Sequence, residues 1–94
     1  MKHCIIAKFN DTVTDKAAMI DRVEALFSSA LALDGIHGHT VLRNCVDREN
    51  RYDLAIVIDM DKAALPAWDA SGLHREWKSR FGSYLAAKAI FDFE

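Results

Sequence analysis

Proline occurs once in these 94 residues and glycine four times. A chain so poor in both carries no flexible linker, no collagen-like repeat and no low-complexity stretch. Cysteine is scarce too. Cys4 and Cys45 form no CxxC pair and no zinc-type spacing. A small secreted fold normally carries more, so both read as reduced thiols of a cytoplasmic protein. Neither sign of charge dominates: twelve Lys and Arg face fourteen Asp and Glu, a net charge of −2. The cations are scattered, which removes the basic footprint that nucleic acid or an anionic lipid surface requires. Long apolar runs are missing. The one at the amino end is interrupted by Lys8, too early for a signal peptide, and none reaches transmembrane length. There is no serine nucleophile elbow, phosphate loop or zinc helix, and no cofactor is expected.

What is present is a chain 51% apolar and 28% charged, ordinary for a globular protein and long enough for one domain over residues 1–94 with a modest core. Its strongest stretch is Tyr52–Asp61, YDLAIVIDMD. Leu54, Ile56, Ile58 and Met60 fall on one face of a strand, and Ala55 and Val57 on the other. A strand apolar on both faces lies inside a sheet with something packed on each side.

The other elements follow in order. Lys2–Phe9 is a strand with His3, Ile5, Ala7 and Phe9 on one face and Cys4, Ile6 and Lys8 on the other. Thr14 is a helix cap, and a helix runs from Asp15 to about Leu33, burying Ile20, Val23, Phe27 and Leu31 with Met19 and Leu26 beside them. Gly35 follows it as the left-handed residue. Ile36–Asn44 is a second strand interrupted by Gly38, Cys45–Arg51 a charged loop, and Tyr52–Met60 the third strand. Asp61 caps a short helix to about Ala70, where Pro66 distorts or shortens it. Ser71 caps another from Gly72 to about Ala87, with Leu73, Trp77, Phe81 and Leu85 inward and Gly82 a weak point. Ala89–Phe93 is the last strand. The order β-α-β-β-α-α-β is that of a ferredoxin-like α+β fold, a four-stranded antiparallel sheet with helices on one face.

That architecture leaves one sheet face bare. Cys4 and Ile6 from the first strand and Ala55 and Val57 from the third point away from the helices, joined by Phe91 and Phe93 from the last. An apolar patch of several hundred Å² exceeds what monomers usually tolerate, and no segment remains to cover it, so a second copy is expected there. Other candidates are weaker. His37 and His39, two apart on a strand, lack a third ligand, so no metal is expected. Asp53 and Asp59 are about 20 Å apart along a strand, too far for joint acid–base work. Arg43, Arg48 and Arg51 around the charged loop either grip an anion or are simply solvated.

The segments MKHCIIAKF, TDKAAMIDRVEAL, YDLAIVIDMD and IFDFE, with a histidine at the start of the late helix, together resemble the stress-responsive α/β-barrel (Dabb) domain family over nearly the whole chain. The resemblance implies a dimeric α+β barrel. One branch of that family, the olivetolic-acid-type polyketide cyclases, does aldol chemistry between helices and sheet with a histidine on the first strand and one ending a His-Pro-Ala-His segment. His3 and His74 match those positions, with Ser71-Gly72-Leu73-His74 in place of the segment. A further pocket histidine falls near Leu54, a tyrosine at Trp68 and another near Ala25. The resemblance therefore implies His3 and His74 as catalytic or ligand-holding groups, with Leu54, Trp68 and Trp77 lining the cavity. Three functions stay open: a homodimer binding a small apolar or carbonyl-bearing ligand, a cyclase-like lyase or isomerase moving protons through His3 and His74, and a structural assembly subunit.

Overall fold

A computed structural model describes residues 1–94. Strand β1 (Lys2–Phe9) leads into helix α1 (Lys16–Phe27), strands β2 (Ile36–Arg43) and β3 (Leu54–Met60), helices α2 (Leu65–Asp69) and α3 (Gly72–Phe81), and strand β4 (Leu85–Phe93). The sheet is wholly antiparallel in the order β2-β3-β1-β4, the ferredoxin-like arrangement. The core lies between one sheet face and the helices. His3, Ile5, Ala7 and Phe9 from β1 and Leu54, Ile56, Ile58 and Met60 from β3 are buried there against Val23, Phe27, Trp68, Trp77 and Phe81. No helix is long and apolar enough to cross a membrane.

Several element ends differ from the sequence expectation, each for a local reason. The cap of α1 is Asp15, not Thr14: its carboxylate accepts the Ala18 N–H at 3.0 Å. The helix stops at Phe27 and tightens into a 3₁₀ turn over Ser28–Ala32. There the Ser28 and Ser29 hydroxyls donate to the Ala25 and Leu26 carbonyls, each at 2.7 Å, competing with the helical ladder. Leu31 is consequently exposed and Ala30 takes the buried place. Gly35 has φ of +79°, left-handed as expected, but it follows the 3₁₀ turn rather than the helix.

The Asp61 side chain makes no cap hydrogen bond. Its carboxylate pairs with His37 Nε2 at 2.9 Å. A separate 3₁₀ turn over Lys62–Ala64 then puts Pro66 in the first turn of α2, where a missing N–H does no harm. Helix α3 ends at Phe81, short of Ala87, because Asn10 captures the carbonyls beyond it: its N–H reaches Tyr84 O and its side-chain amide Ser83 O, both at 2.8 Å. Leu85 therefore opens β4 rather than closing the helical stripe.

The register arranges the sheet's other face as a grid. Lys2, Asp59, Phe93 and Gly38 form one row, Cys4, Val57, Phe91 and Thr40 the next, and Ile6, Ala55, Ala89 and Leu42 the third. This confirms that Phe91 and Phe93 share a face with Cys4, Ile6, Ala55 and Val57. Phe91 and Phe93 stack on each other and are exposed at 64% and 42%.

Candidate functional site

Antiparallel pairing sets His3 directly opposite Asp92 on β4, on the face the helices cover. Its Nδ1 donates to Asp92 Oδ1 at 2.5 Å, a charge-assisted bond between a buried ring and a half-exposed carboxylate. Helix α2 lays Trp68 over this ring, with centroids 6.3 Å apart in an edge-to-face arrangement. The same indole meets His74, at 5.4 Å between centroids. Trp68 thus joins two buried imidazoles.

His74 is held by the turn between α2 and α3. The Ser71 hydroxyl donates to Trp68 O at 2.7 Å and accepts the His74 N–H at 3.1 Å. The His74 ring bonds Asp69 O through Nδ1 at 3.0 Å. A carbonyl can only accept, so Nδ1 carries a proton, and in the neutral ring Nε2 carries a lone pair. The Trp68 Nε1–H is buried with no hydrogen-bond partner. An unmade buried donor is uncommon in a folded core.

The structure therefore brings together His3, Trp68 and His74, three of the residues singled out in the sequence. It does not bring Trp77 or Leu54 to them. Trp77 packs on Phe27 and Phe81 at 5.3 and 5.6 Å, a core contact. Leu54 pairs with Ala7 and Arg43 toward the far end of the sheet and borders a cavity of about 200 Å³ with Ile6, Leu42 and Tyr52. None of the cavities on the chain is lined by His3, His74, Trp68 or Trp77. One of them, of about 370 Å³, is bounded by Met1, Lys62, Leu65, Asp92, Phe93 and Glu94, so it reaches the carboxylate that holds His3. Asp92 is the site residue that sequence reading missed. Its signal is its cross-strand register with His3, which appears only once β4 is known to begin at Leu85.

The remaining candidates scatter. A pairing irregularity between Ile36 and Gly38 breaks the alternation between His37 and His39, and no three His, Cys, Asp or Glu side chains converge as a metal site would need. Asp59 bonds Lys2 at 2.9 Å, and that bond holds its carboxyl below the usual range. Asp53 accepts from the Phe9 N–H and from Lys16. Arg43 is taken up by Asp21 at 2.5 Å, and Arg51 by the neighbouring Asn50 at 2.8 Å. Burial pushes the Cys4 thiol up, and Asp92 adds to the effect.

The family model described as the stress responsive A/B barrel domain matches residues 1–94. No curated protein matches the chain. Solved structures with the same fold include a dimeric ferredoxin-like protein of unknown function from Thermobifida fusca, 23% identical, with 98% of this chain and 87% of that one covered at a TM-score of 0.79. A dimeric protein of unknown function from Bacteroides fragilis is 15% identical, with 99% and 93% covered at 0.81. Hydroxynitrile lyase from Passiflora edulis is 12% identical, with 98% and 89% covered at 0.76. At these identities the likeness is one of fold.

Proposed function

Because the chain belongs to the stress responsive A/B barrel domain family, matched over residues 1–94, we propose that it acts as a homodimer holding a small, largely apolar, carbonyl-bearing ligand against Trp68, His3 and His74. The observation that carries the ligand is the Trp68 indole N–H, buried without a partner. Leaving such a donor unmade costs about 1–3 kcal/mol, which an acceptor brought from outside the chain recovers. A ligand carbonyl accepts from Trp68, and a hydroxyl beside it donates to the lone pair on His74 Nε2. The cavity at Met1, Leu65 and Phe93 offers an approach through Asp92. The homodimer is supported by the apolar outer sheet face and by the Thermobifida and Bacteroides neighbours, both described as dimeric.

A lyase or isomerase is the second reading, and the His3–Asp92 pair favours it. A carboxylate on Nδ1 fixes the orientation of the imidazole and leaves Nε2 as the ring atom through which a proton would pass. One structural neighbour is itself named a lyase. The packed Trp68, Trp77, Phe27 and Phe81 layer is what a purely structural subunit also needs.

Titration of ¹⁵N-labelled protein with acetophenone, a small apolar ketone, tests the ligand reading. We expect one indole N–H resonance, absent in Trp68→Phe, to shift saturably while that of Trp77 stays in place. If neither indole moves at millimolar ketone, the ligand reading fails and the structural one stands.

A further inference from the structure

The Trp68 indole N–H is buried and lines none of the cavities, so a ligand that reaches it needs part of the protein to move. The elements around it differ in how firmly they are held. Strand β1, which carries His3, is paired along both edges, with β3 and with β4. Helix α1 buries Met19, Ile20, Val23, Leu26 and Phe27, and α3 buries Trp77 and Phe81 beside His74. Helix α2 is five residues long and buries Trp68 alone. We infer that α2 is a lid: it turns outward between Ala64 and Ser71, uncovers the Trp68 N–H to the ligand, and closes again over it. This rests on the ligand reading above and specifies how that ligand enters.

The chain is anchored just before α2. The Asp61 N–H donates to Gly35 O at 2.8 Å, the Asp61 carboxylate meets His37, and Ala64 packs on Gly35, where an added Cβ would lie 2.8 Å from it. After α2 the backbone turns extended at Ser71, with φ −70° and ψ 153°. Residues at element ends such as Ala64 and Ser71 absorb the dihedral change of a closing lid. Between these points the backbone bonds are local: the Leu65 N–H reaches Lys62 O and the Ala70 N–H reaches Pro66 O. Two donors from α3 latch the carboxyl end, His74 Nδ1 on Asp69 O at 3.0 Å and Arg75 Nη1 on Ala70 O at 2.7 Å. Both close on final carbonyls that a helix leaves without partners. Leu65 borders the cavity of about 370 Å³ that includes Asp92, so outward movement of α2 widens an existing opening.

One latch couples closing to the chemistry of the site. Asp69 O holds the proton on His74 Nδ1 and so leaves Nε2 as the acceptor of the neutral ring. The Trp68 donor and that lone pair are therefore presented together only when the lid is shut. Exposing an indole of roughly 200 Å² limits the open state to on the order of one molecule in a thousand or fewer, and weakens ligand binding by the same fraction.

Hydrogen exchange of ¹⁵N-labelled protein reads the opening. In wild type, the Trp68 indole N–H and the Ala70 amide should share one protection factor, at least about tenfold below the slowest amides of β1 and β3, which exchange by global unfolding. Arg75→Ala removes one latch and should lower that shared factor about fivefold, the equilibrium effect of one hydrogen bond, without a matching change in β1 and β3. Arg75→Lys keeps a donor and should restore most of it. Gly72→Pro should act the opposite way and raise it. Gly72 is the first residue of α3, where proline fits, and Ser71 already has the extended backbone that precedes one. If Gly72→Pro fails to fold, the two Arg75 variants carry the test. Saturating acetophenone should raise the shared factor as well, with the same midpoint as its indole shift. Trp68 and Ala70 as protected as the strands, or indifferent to Arg75→Ala, overturn the lid, and an indole shift with acetophenone then leaves the ligand reading intact. A low shared factor that responds to Arg75→Ala, with no indole shift, supports the lid and overturns the ligand reading.

Discussion

The Asp53 carboxylate takes the Phe9 N–H at 2.7 Å and the Lys16 ammonium at 2.9 Å, tying the end of β1 to the start of α1. The hydrogen bond to Asp53 raises the Lys16 pKa above 10.5. A raised pKa means the folded state holds this proton more tightly than the unfolded chain does. The stabilisation is complete below about pH 10.5 and is lost as pH climbs through the higher folded value. Lys16 is half exposed, so the pair contributes no more than ~0.2–1 kcal/mol. Lys16→Met should therefore lower the urea midpoint slightly at pH 7, and the gap to wild type should close as pH climbs through the raised folded value. A gap that persists at high pH would trace the loss to packing of the side-chain stem.

At the scale of elements, two glycines make opposite predictions. Gly35 sits at φ +79°, and a Cβ there would lie 2.8 Å from Ala64 Cβ. Gly35→Ala meets both an unfavourable backbone and a methyl that must move, so it should cost about 1–3 kcal/mol in chemical denaturation. Gly82 follows α3 at φ −54° and ψ −39°, with nothing within 4 Å of an added Cβ. Gly82→Ala keeps the helical backbone and restricts only the unfolded chain, so a gain of about 0.4–1 kcal/mol is expected. If Gly35→Ala were neutral, the turn into β2 would have to relax at little cost, and its packing against Ala64 would not fix the strand's entry.

For the whole molecule, the prediction concerns the homodimer proposed through the outer face. Val57 stands at its centre between Cys4 and Thr40. Val57→Lys would bury an unpaired ammonium at the sheet–sheet contact, at a cost of several kcal/mol. Size exclusion with light scattering should find wild-type protein at twice the 10.6 kDa chain mass at micromolar concentration. The variant should run as a folded monomer or fail to fold. A variant that stays dimeric would move the interface off this face.

Alternation in YDLAIVIDMD and MKHCIIAKF, the Ser71 cap and the glycine after the first helical region were enough to determine the element order, the interior strand, the helical face and the apolar outer face. These are properties of one segment at a time, and period and capping chemistry read them directly. The ends of α1 and α3 were not legible, because serine hydroxyls and the distant Asn10 compete for carbonyls that propensity assigns to the helix. The site divides in the same way. His3, Trp68 and His74 could be picked out one by one, but their contact through a single indole could not. The Asp92 partner of His3 is 89 residues away in the chain, and only the pairing of β1 with β4 supplies it. Segment periodicity says which way a side chain faces. Strand register and helix packing decide what it meets there, and those are set by the whole chain at once.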